Sequence, residues 1–479
     1  MTKHHGMTAL KGIAAHCRMG RESSRDDRFG RLFPNLAPVF TRPDILQFVG
    51  RQGGPMDGGT TADRTDSVPV GHVFFGQFVD HDITLDVTSS FNRVNEPAET
   101  PNLRTPTLDL DCIYGPGPED APFMYVQEGD FEGIKLLTGA DEPPSGDADA
   151  DLLRANDLLR SPNGRAIIGD HRNDENRIIS QIQLAFINFH NAMADVAKAE
   201  YPNLSGGALF EEARRLTTWH YQWGLVHDFL VSMCGEGIVN DILANGRQFY
   251  CPTEPQIPIE FAVAAYRFGH SMAPMKIQVQ KGDTAFELFG QKLGRGFSPL
   301  TDQRAIVDWR ELMFVPDKTG VQRAEKMDTK MATDLLKLPF ISADDEQSLA
   351  TRNLLRSNSF LLPGGDRVAL EMGRSEAEVD TVMSLIATLS DDKITEGAPL
   401  WLYILAEAEA IGRLDANDQG EQGEGLGPVG GRIVAEVLIG LIELDEHSWL
   451  GSDRNWTPMD DFNSIQKIVV SQNSSVHPA

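Results

Sequence analysis

PVGHVFFGQFVDHD, residues 69–82, is the stretch on which the reading of this chain turns. Pro69 suits a first helical turn, where its missing N–H costs nothing. At about 100° per residue, Gln77, Asp80 and His81 fall within one narrow arc of the predicted helix, and Asp82 points elsewhere. An amide, a carboxylate and an imidazole therefore converge. A solvated polar face would account for such a trio, but Phe74, Phe75 and Phe78 crowd the same helix. A helix that is apolar around most of its circumference is buried, and buried polar groups need partners. The trio points to a pocket.

Four further clusters stand out. In GDHRNDE, residues 169–175, Arg172 and Glu175 share a face at the start of a long apolar helix; helix capping and a surface ion pair explain them equally well. In YRFGH, residues 266–270, Val263, Arg267 and His270 form one stripe of a predicted helix over 258–272. Gly269 there permits close approach of something large and flat. Arg352, Asn353 and Arg356 form another cluster, which alone says little. In TPTLDLD, residues 105–111, oxygen side chains alternate. That pattern suits a hard cation, which takes about six to eight oxygens, or an Asx-rich turn.

The rest of the chain narrows the class. It has 479 residues, 41% of them hydrophobic, enough for a sizeable core. Its 43 Lys and Arg against 70 Asp and Glu give a formal charge of −27, which argues against nucleic acid and against an anionic membrane surface. No apolar run reaches the ~18–20 residues of a membrane span, and the late run from Ile433 to Leu444 is broken by Glu436 and Glu443. The N-terminus lacks a long apolar core, so no secretory signal is expected and a cytoplasmic setting is the default, with export by another route left open. Cys17, Cys112, Cys234 and Cys251 are scattered and form no disulfide framework.

Period-3.6 patterns predict helices at 69–82, 176–199, 208–232, 258–272, 343–356, 376–388, 399–411 and 430–444, with a short β-like piece at 276–280. Residues 50–67, 140–151 and 414–427 read as loops. The expected organisation is a loosely ordered segment 1–30, one large mainly α domain over 31–470 with very little β, and a disordered tail 471–479. Three textual motifs are set aside. GLGPVG, residues 425–430, spells a dinucleotide fingerprint without its preceding strand. Residues 415–426 begin like an EF-hand but end in Leu426. His220 and His227 read as ordinary histidines.

Together, GQFVDHD (76–82), RTPTLDLDCIYG (104–115), IIGDHRNDEN (167–176), AYRFGH (265–270), RNLLRSNSFLLPGG (352–365) and LGPVGGRIVAEVLIGL (426–441) resemble the animal-type haem peroxidases of the peroxidase–cyclooxygenase superfamily, and most closely its bacterial members. The motifs occur in the family's order and span about residues 30 to 455. The resemblance implies a helical domain around one buried haem b. It implies His81 as distal histidine, Arg172 as distal arginine and Gln77 beside them, where relatives place a halide or water partner. It implies His270 as the iron ligand and Asn353 as acceptor from its other nitrogen, with Arg267 and Arg356 near the propionates. Asp80 and Glu175 match carboxylates that relatives can ester-link to haem. Asp82, Thr105, Thr107 (through its carbonyl), Asp109 and Asp111 match a calcium site. Asn176 stands where the myeloperoxidase type has Met, so no sulfonium link is expected. Asp111 replaces a frequent Ser, and Ser357 a frequent Gly.

The implied activity is that of a peroxidase. It would reduce hydrogen peroxide, oxidise a small phenolic, halide or pseudohalide donor, and serve in the response to oxidative stress. Its chemistry fits these residues. A neutral His81 can move a peroxide proton, Arg172 can stabilise developing charge, and Asn353 can orient His270. The alternatives are a fatty-acid dioxygenase of the same superfamily or a non-catalytic haem or calcium protein. The dioxygenases need a radical-forming Tyr three residues before the proximal His. Here Arg267 holds that position, and Tyr266 lies one residue earlier. The donor, the oligomeric state and the covalent state of the haem are not legible in the sequence.

Overall fold

A computed structural model describes residues 28–472 apart from 61, 92, 315–319, 416 and 418. The expected loose N-terminus, up to residue 27, and the tail from 473 lie outside the described residues, as does Cys17. The described chain is mainly helical, with β-structure limited to three two-stranded antiparallel pairs and isolated bridges. The largest pairs Arg64–Pro69 with Arg323–Glu325, so part of the stretch read as a loop is a strand. The piece expected at 276–280 shrinks to Lys276–Ile277 against Phe286–Glu287.

The helix quoted first runs Val70–Ile83 and is buried around nearly its whole length. At Gly71 a Cβ would stand 2.6 Å from the Leu312 carbonyl oxygen, so glycine there permits the close packing. The helix stops at Thr84, whose backbone turns extended. It packs on Arg177–Glu200, which the Asn176 side chain caps by accepting from Ile179 N at 2.9 Å. That helix pairs with Gly206–Gly224, which continues through one π-turn (Leu225–Phe229) into Leu230–Cys234. Glu376–Leu389, Leu400–Ala410 and Pro428–Leu444 form a second group of packed helices. Almost all buried apolar side chains join one core cluster. No helix among the described residues is long and apolar enough to cross a membrane.

Two predicted helices are corrected. The 258–272 stretch breaks into Ile259–Ala262, a 3-10 turn Ala265–Arg267, and Gly269–Met272. Side chains take carbonyls that a continuous helix would use: Arg267 Nε donates to Ala262 O at 3.1 Å and Trp401 Nε1 to Arg267 O at 3.2 Å. The helix predicted over 343–356 begins only at Leu349, where Ser348 caps it. Periodicity also misses Ala148–Ala155, which begins inside the stretch 140–151 read as a loop, because its acidic first turn looks unstructured until Asp147 is recognised as the cap.

Buried carboxylates hold distant segments together. Glu407 accepts from Val429 N and Gly430 N at 3.0–3.1 Å, which fills the helix start spelled by GLGPVG and leaves no phosphate cradle. Glu436, the break in the late apolar run, accepts from the N–H groups of Gln248, Phe249 and Tyr250 at 2.7–2.9 Å and from Arg432 Nε at 2.6 Å. Glu436→Ala therefore strands three N–H groups and leaves the Arg432 guanidinium with Asp241 alone. We expect a loss of about 3–5 kcal/mol, read from urea unfolding.

Candidate active site

His81 is buried near the end of the Val70–Ile83 helix, and its Nδ1 lies 2.7 Å from Asn173 Oδ1. The Asn173 amide nitrogen is committed to Gln183 Oε1 at 2.8 Å, and Gln183 Nε2 to Cys112 O at 3.1 Å. Asn173 can therefore only accept from the ring, so the proton sits on Nδ1 and Nε2 keeps its lone pair. Burial, and next the Arg172 charge, push the His81 imidazolium down to about 4, so the ring is neutral near pH 7. Asn173 lies inside a motif already singled out, but its role was missed, since no spacing rule links it to His81. Asn173→Ala frees the ring to change tautomer. We expect a loss of about 10–100-fold in peroxide reactivity, measured by stopped flow.

Arg172 is locked beside His81. Its Nη2 donates to His81 O at 3.0 Å, Thr84 O at 2.7 Å and Asp170 Oδ2 at 2.7 Å. Asp170 is itself held by Arg104 Nη2 at 2.6 Å. Burial works to raise the Asp170 pKa, but the Arg172 hydrogen bond and the two guanidinium charges hold it below the usual carboxylate range. Gln77 Nε2 donates to Glu175 Oε1, and Thr84 Oγ1 to Asp80 Oδ1 at 2.9 Å. Burial pushes the Glu175 carboxyl up to about 7.

Across from this group stands His270. Burial, then the charges of Arg267 and Arg356, push its imidazolium down to about 3. Its Nδ1 lies 2.7 Å from Asn353 Nδ2, while Asn353 Oδ1 is buried without a hydrogen bond. The amide thus faces the ring nitrogen end first, the reverse of the expected acceptance, and a half-turn exchanges the two ends without changing shape. Among the described residues, Arg267, Arg352 and Arg356 form no ion pair with a carboxylate. Burial and the neighbouring Arg267 push Arg356 down to about 9.

The two halves meet in one region. Gly269–Met272 packs on Val70–Ile83, and the Asp80 charge is felt at His81, Glu175, Arg267 and Arg356. Within the buried run of the Val70–Ile83 helix only Val73, Gln77 and Asp80, one stripe, remain partly accessible. On the facing segment Arg267, Gly269 and His270 do too. A Cβ on Gly269 would meet only Val73, at 3.8 Å. The partly accessible edges of the two segments thus face each other.

The residues of the TPTLDLD stretch also converge. Carboxylate oxygens of Asp82, Asp109 and Asp111 lie within 4.8 Å of one another. Thr105 Oγ1 lies 3.3 Å from Asp109 Oδ1 and Thr107 Oγ1 3.1 Å from Asp109 Oδ2. Asp82 Oδ1 is buried without a partner. The Arg104 guanidinium is bonded to Asp111 at 3.2 Å. His220 and His227 form no such site. His220 Nδ1 donates to Leu216 O at 2.7 Å and its Nε2 accepts from Met459 N at 3.1 Å, and His227 stacks on Trp223 at 4.1 Å. Asp415, the start of the EF-hand-like run, accepts from Asn417 N and Gln419 N in a turn, and residues 416 and 418 lie outside the described residues.

Comparison with solved structures defines the class. Peroxidase A of Dictyostelium discoideum aligns with a TM-score of 0.56 at 14% identity, covering 89% of this chain and 87% of that one. The fatty acid alpha-dioxygenase of Oryza sativa aligns with a TM-score of 0.58 at 16% identity, covering 93% and 79%. The fold is that of the peroxidase–cyclooxygenase superfamily. Residues 87–363 match the animal haem peroxidase family, and the chain belongs to it. Dual oxidase 1 of Caenorhabditis elegans is 28% identical over 195 residues, 40% of this chain and 13% of that protein. Human thyroid peroxidase is 26% identical over 260 residues, 50% and 27%. Alpha-dioxygenase PIOX of rice is 33% identical over 117 residues, 24% and 16%. The chain thus spans under a third of the length of each of these three relatives.

The family implies haem, and the residues fit it. A neutral imidazole on the partly accessible edge of its segment suits an iron ligand, and half-buried arginines without carboxylate partners suit an anionic group.

Proposed function

We propose that this protein is a haem-dependent peroxidase that reduces hydrogen peroxide and oxidises a small phenolic, halide or pseudohalide donor. The observation that carries the reading is the fixed tautomer of His81, with Nε2 bare and Arg172 locked beside it. His270 is the residue that would hold the haem iron, through Nε2, with Asn353 turned so that Oδ1 accepts from Nδ1–H. Arg267 and Arg356 would bind the propionates. When bound, haem would supply the two electrons that peroxide reduction needs, to be restored by the donor.

The chain's own residues do the rest. His81 Nε2, bare of a proton, would accept one from the peroxide and hand it to the departing oxygen. Asn173 keeps the ring oriented throughout. Arg172 Nε and Nη2 are committed to Asp170 and to backbone carbonyls, which leaves Nη1 to offset the charge that develops as the O–O bond lengthens. Gln77 is the polar contact for water or halide beside them. Asp80 and Glu175 stand where ester links to haem could form. Mass spectrometry after peroxide turnover should find haem retained under denaturing conditions in wild type and released in the double variant Asp80→Asn/Glu175→Gln. Asp82, Asp109 and Asp111, with oxygens of Thr105 and Thr107, would hold calcium.

Dioxygenation of a fatty acid is the second reading, favoured by the match to the rice alpha-dioxygenase. Against it stands Arg267 in place of the required Tyr. Tyr266, one residue earlier, is buried against Phe261 at 4.7 Å, with its hydroxyl unpartnered. Two assays separate the readings: donor oxidation with hydrogen peroxide, and oxygen uptake with palmitic acid. Donor turnover without oxygen uptake is expected. Oxygen uptake with palmitic acid and no donor turnover would replace the first reading by the second.

A further inference from the structure

A second polar site lies behind the first, in a cleft of about 120 Å³ between the start of the Arg177–Glu200 helix and the loop 291–302. Its charged lining is Arg177, Lys292, Arg295 and Asp302. In a chain of net charge −27, that is an unusual surplus of cations. Asp302 offsets only part of it, being shared between Lys292 and Arg304, the latter at 2.9 Å. Arg295 pairs with no carboxylate among the described residues.

Arg177 is the decisive group. Its side chain is only 4% exposed. Nη2 donates to Ser298 O at 3.1 Å and to Pro299 O at 3.4 Å, but Nε and Nη1 have no hydrogen-bond partner. The nearest carboxylate, Asp157, lies 3.5 Å from Nη1 and is fully engaged. It accepts from Arg160 Nε and Nη2, each at 2.8 Å, from Leu158 N at 2.9 Å and from Leu300 N at 2.7 Å. A buried guanidinium with two unused donors is costly unless something supplies acceptors. The cleft is far below the ~300–1,000 Å³ of pockets for drug-sized ligands. Its occupant must be small, oxygen-rich and anionic.

We propose that this cleft is a binding site for a small tetrahedral oxyanion, phosphate or sulfate, held by Arg177, Lys292 and Arg295. The loop that closes it is stitched to the segment carrying Arg172 and Glu175. Phe297 N donates to Asp174 O at 2.6 Å and Arg177 N to Leu293 O at 2.7 Å. Gly296 lies so close to Glu175 that a Cβ there would stand 2.1 Å from its carbonyl oxygen. Anion binding thus steadies the segment that presents Arg172. The site uses no residue assigned to haem or to calcium, and its test reads binding alone.

The test is calorimetric titration of inorganic phosphate into the haem-loaded protein, against chloride at equal ionic strength. One saturable site is expected, competed by sulfate. Lys292→Gln/Arg295→Gln changes one half-buried and one exposed position and should weaken it at least about tenfold, as expected for losing charge-assisted hydrogen bonds. Arg177→Met should abolish it. Phenyl phosphate, titrated alongside, distinguishes the sources: equal affinity assigns the site to the free anion, tighter binding to a phosphoryl group on an organic molecule. A response no different from chloride, or an unchanged affinity in the double variant, overturns the proposal.

Discussion

His81→Ala should slow the reaction with hydrogen peroxide by about 10²–10⁴-fold while haem stays bound, because it removes the one group placed to move a peroxide proton. Arg172→Ala should cost about 10²–10³-fold, the usual scale for losing a fixed charge-stabilising donor. Both are read by stopped-flow absorbance, with the haem spectrum confirming occupancy. Unchanged rates in either variant would remove the distal assignment. The pH dependence carries a sign. The His81 imidazolium is pushed from the ordinary 6.5 down to about 4, by burial first. The neutral ring persists as pH falls to about 4, so the peroxide reaction should hold its rate to that point and decline below it. Stability follows the same direction: between pH 6.5 and 4 the unfolded chain binds the extra proton, so this group's contribution is present above 6.5 and is lost as pH falls through that window.

Calcium removal is the second large effect. Three carboxylates whose oxygens lie within 4.8 Å of one another, one with a buried unpartnered oxygen, repel each other without a cation. With calcium at about 1,000 times its dissociation constant, binding contributes about 4 kcal/mol to the folded state. A chelator should therefore lower the melting temperature markedly. Because Asp82 adjoins His81 on the same helix, it should also slow the peroxide reaction. Asp82→Ala should reproduce both losses and no longer respond to added calcium. Elemental analysis finding no bound calcium, with melting indifferent to chelator, would contradict the assignment.

Much of this was legible in the sequence because the decisive groups are local. Gln77, Asp80 and His81 share one helix, and three phenylalanines and the turn at Thr84 fix where it is buried and where it stops. The alternating oxygens of residues 105–111 already describe a compact loop. What stayed hidden depends on partners far along the chain. Nothing near Asn173 announces that Gln183 commits its amide and so sets the His81 tautomer. Arg104 supports Asp170, which supports Arg172, from 66 residues away in sequence. The predicted 258–272 helix failed for a similar reason, since Trp401 takes the Arg267 carbonyl. The stripe of Val263, Arg267 and His270 was drawn on a helix that does not exist as one piece, although the Arg267 charge does act on the His270 ring.

The account stands most directly on His270. Haem should be titrated into the protein and into His270→Ala, following the absorption band near the haem maximum, and hydrogen peroxide should then be added. The wild type should take up one haem per chain and its spectrum should change with peroxide, whereas the variant should bind haem far more weakly and show no such change. A well-folded wild type that takes up no haem, or a variant that binds and responds as the wild type does, would contradict the account at its centre.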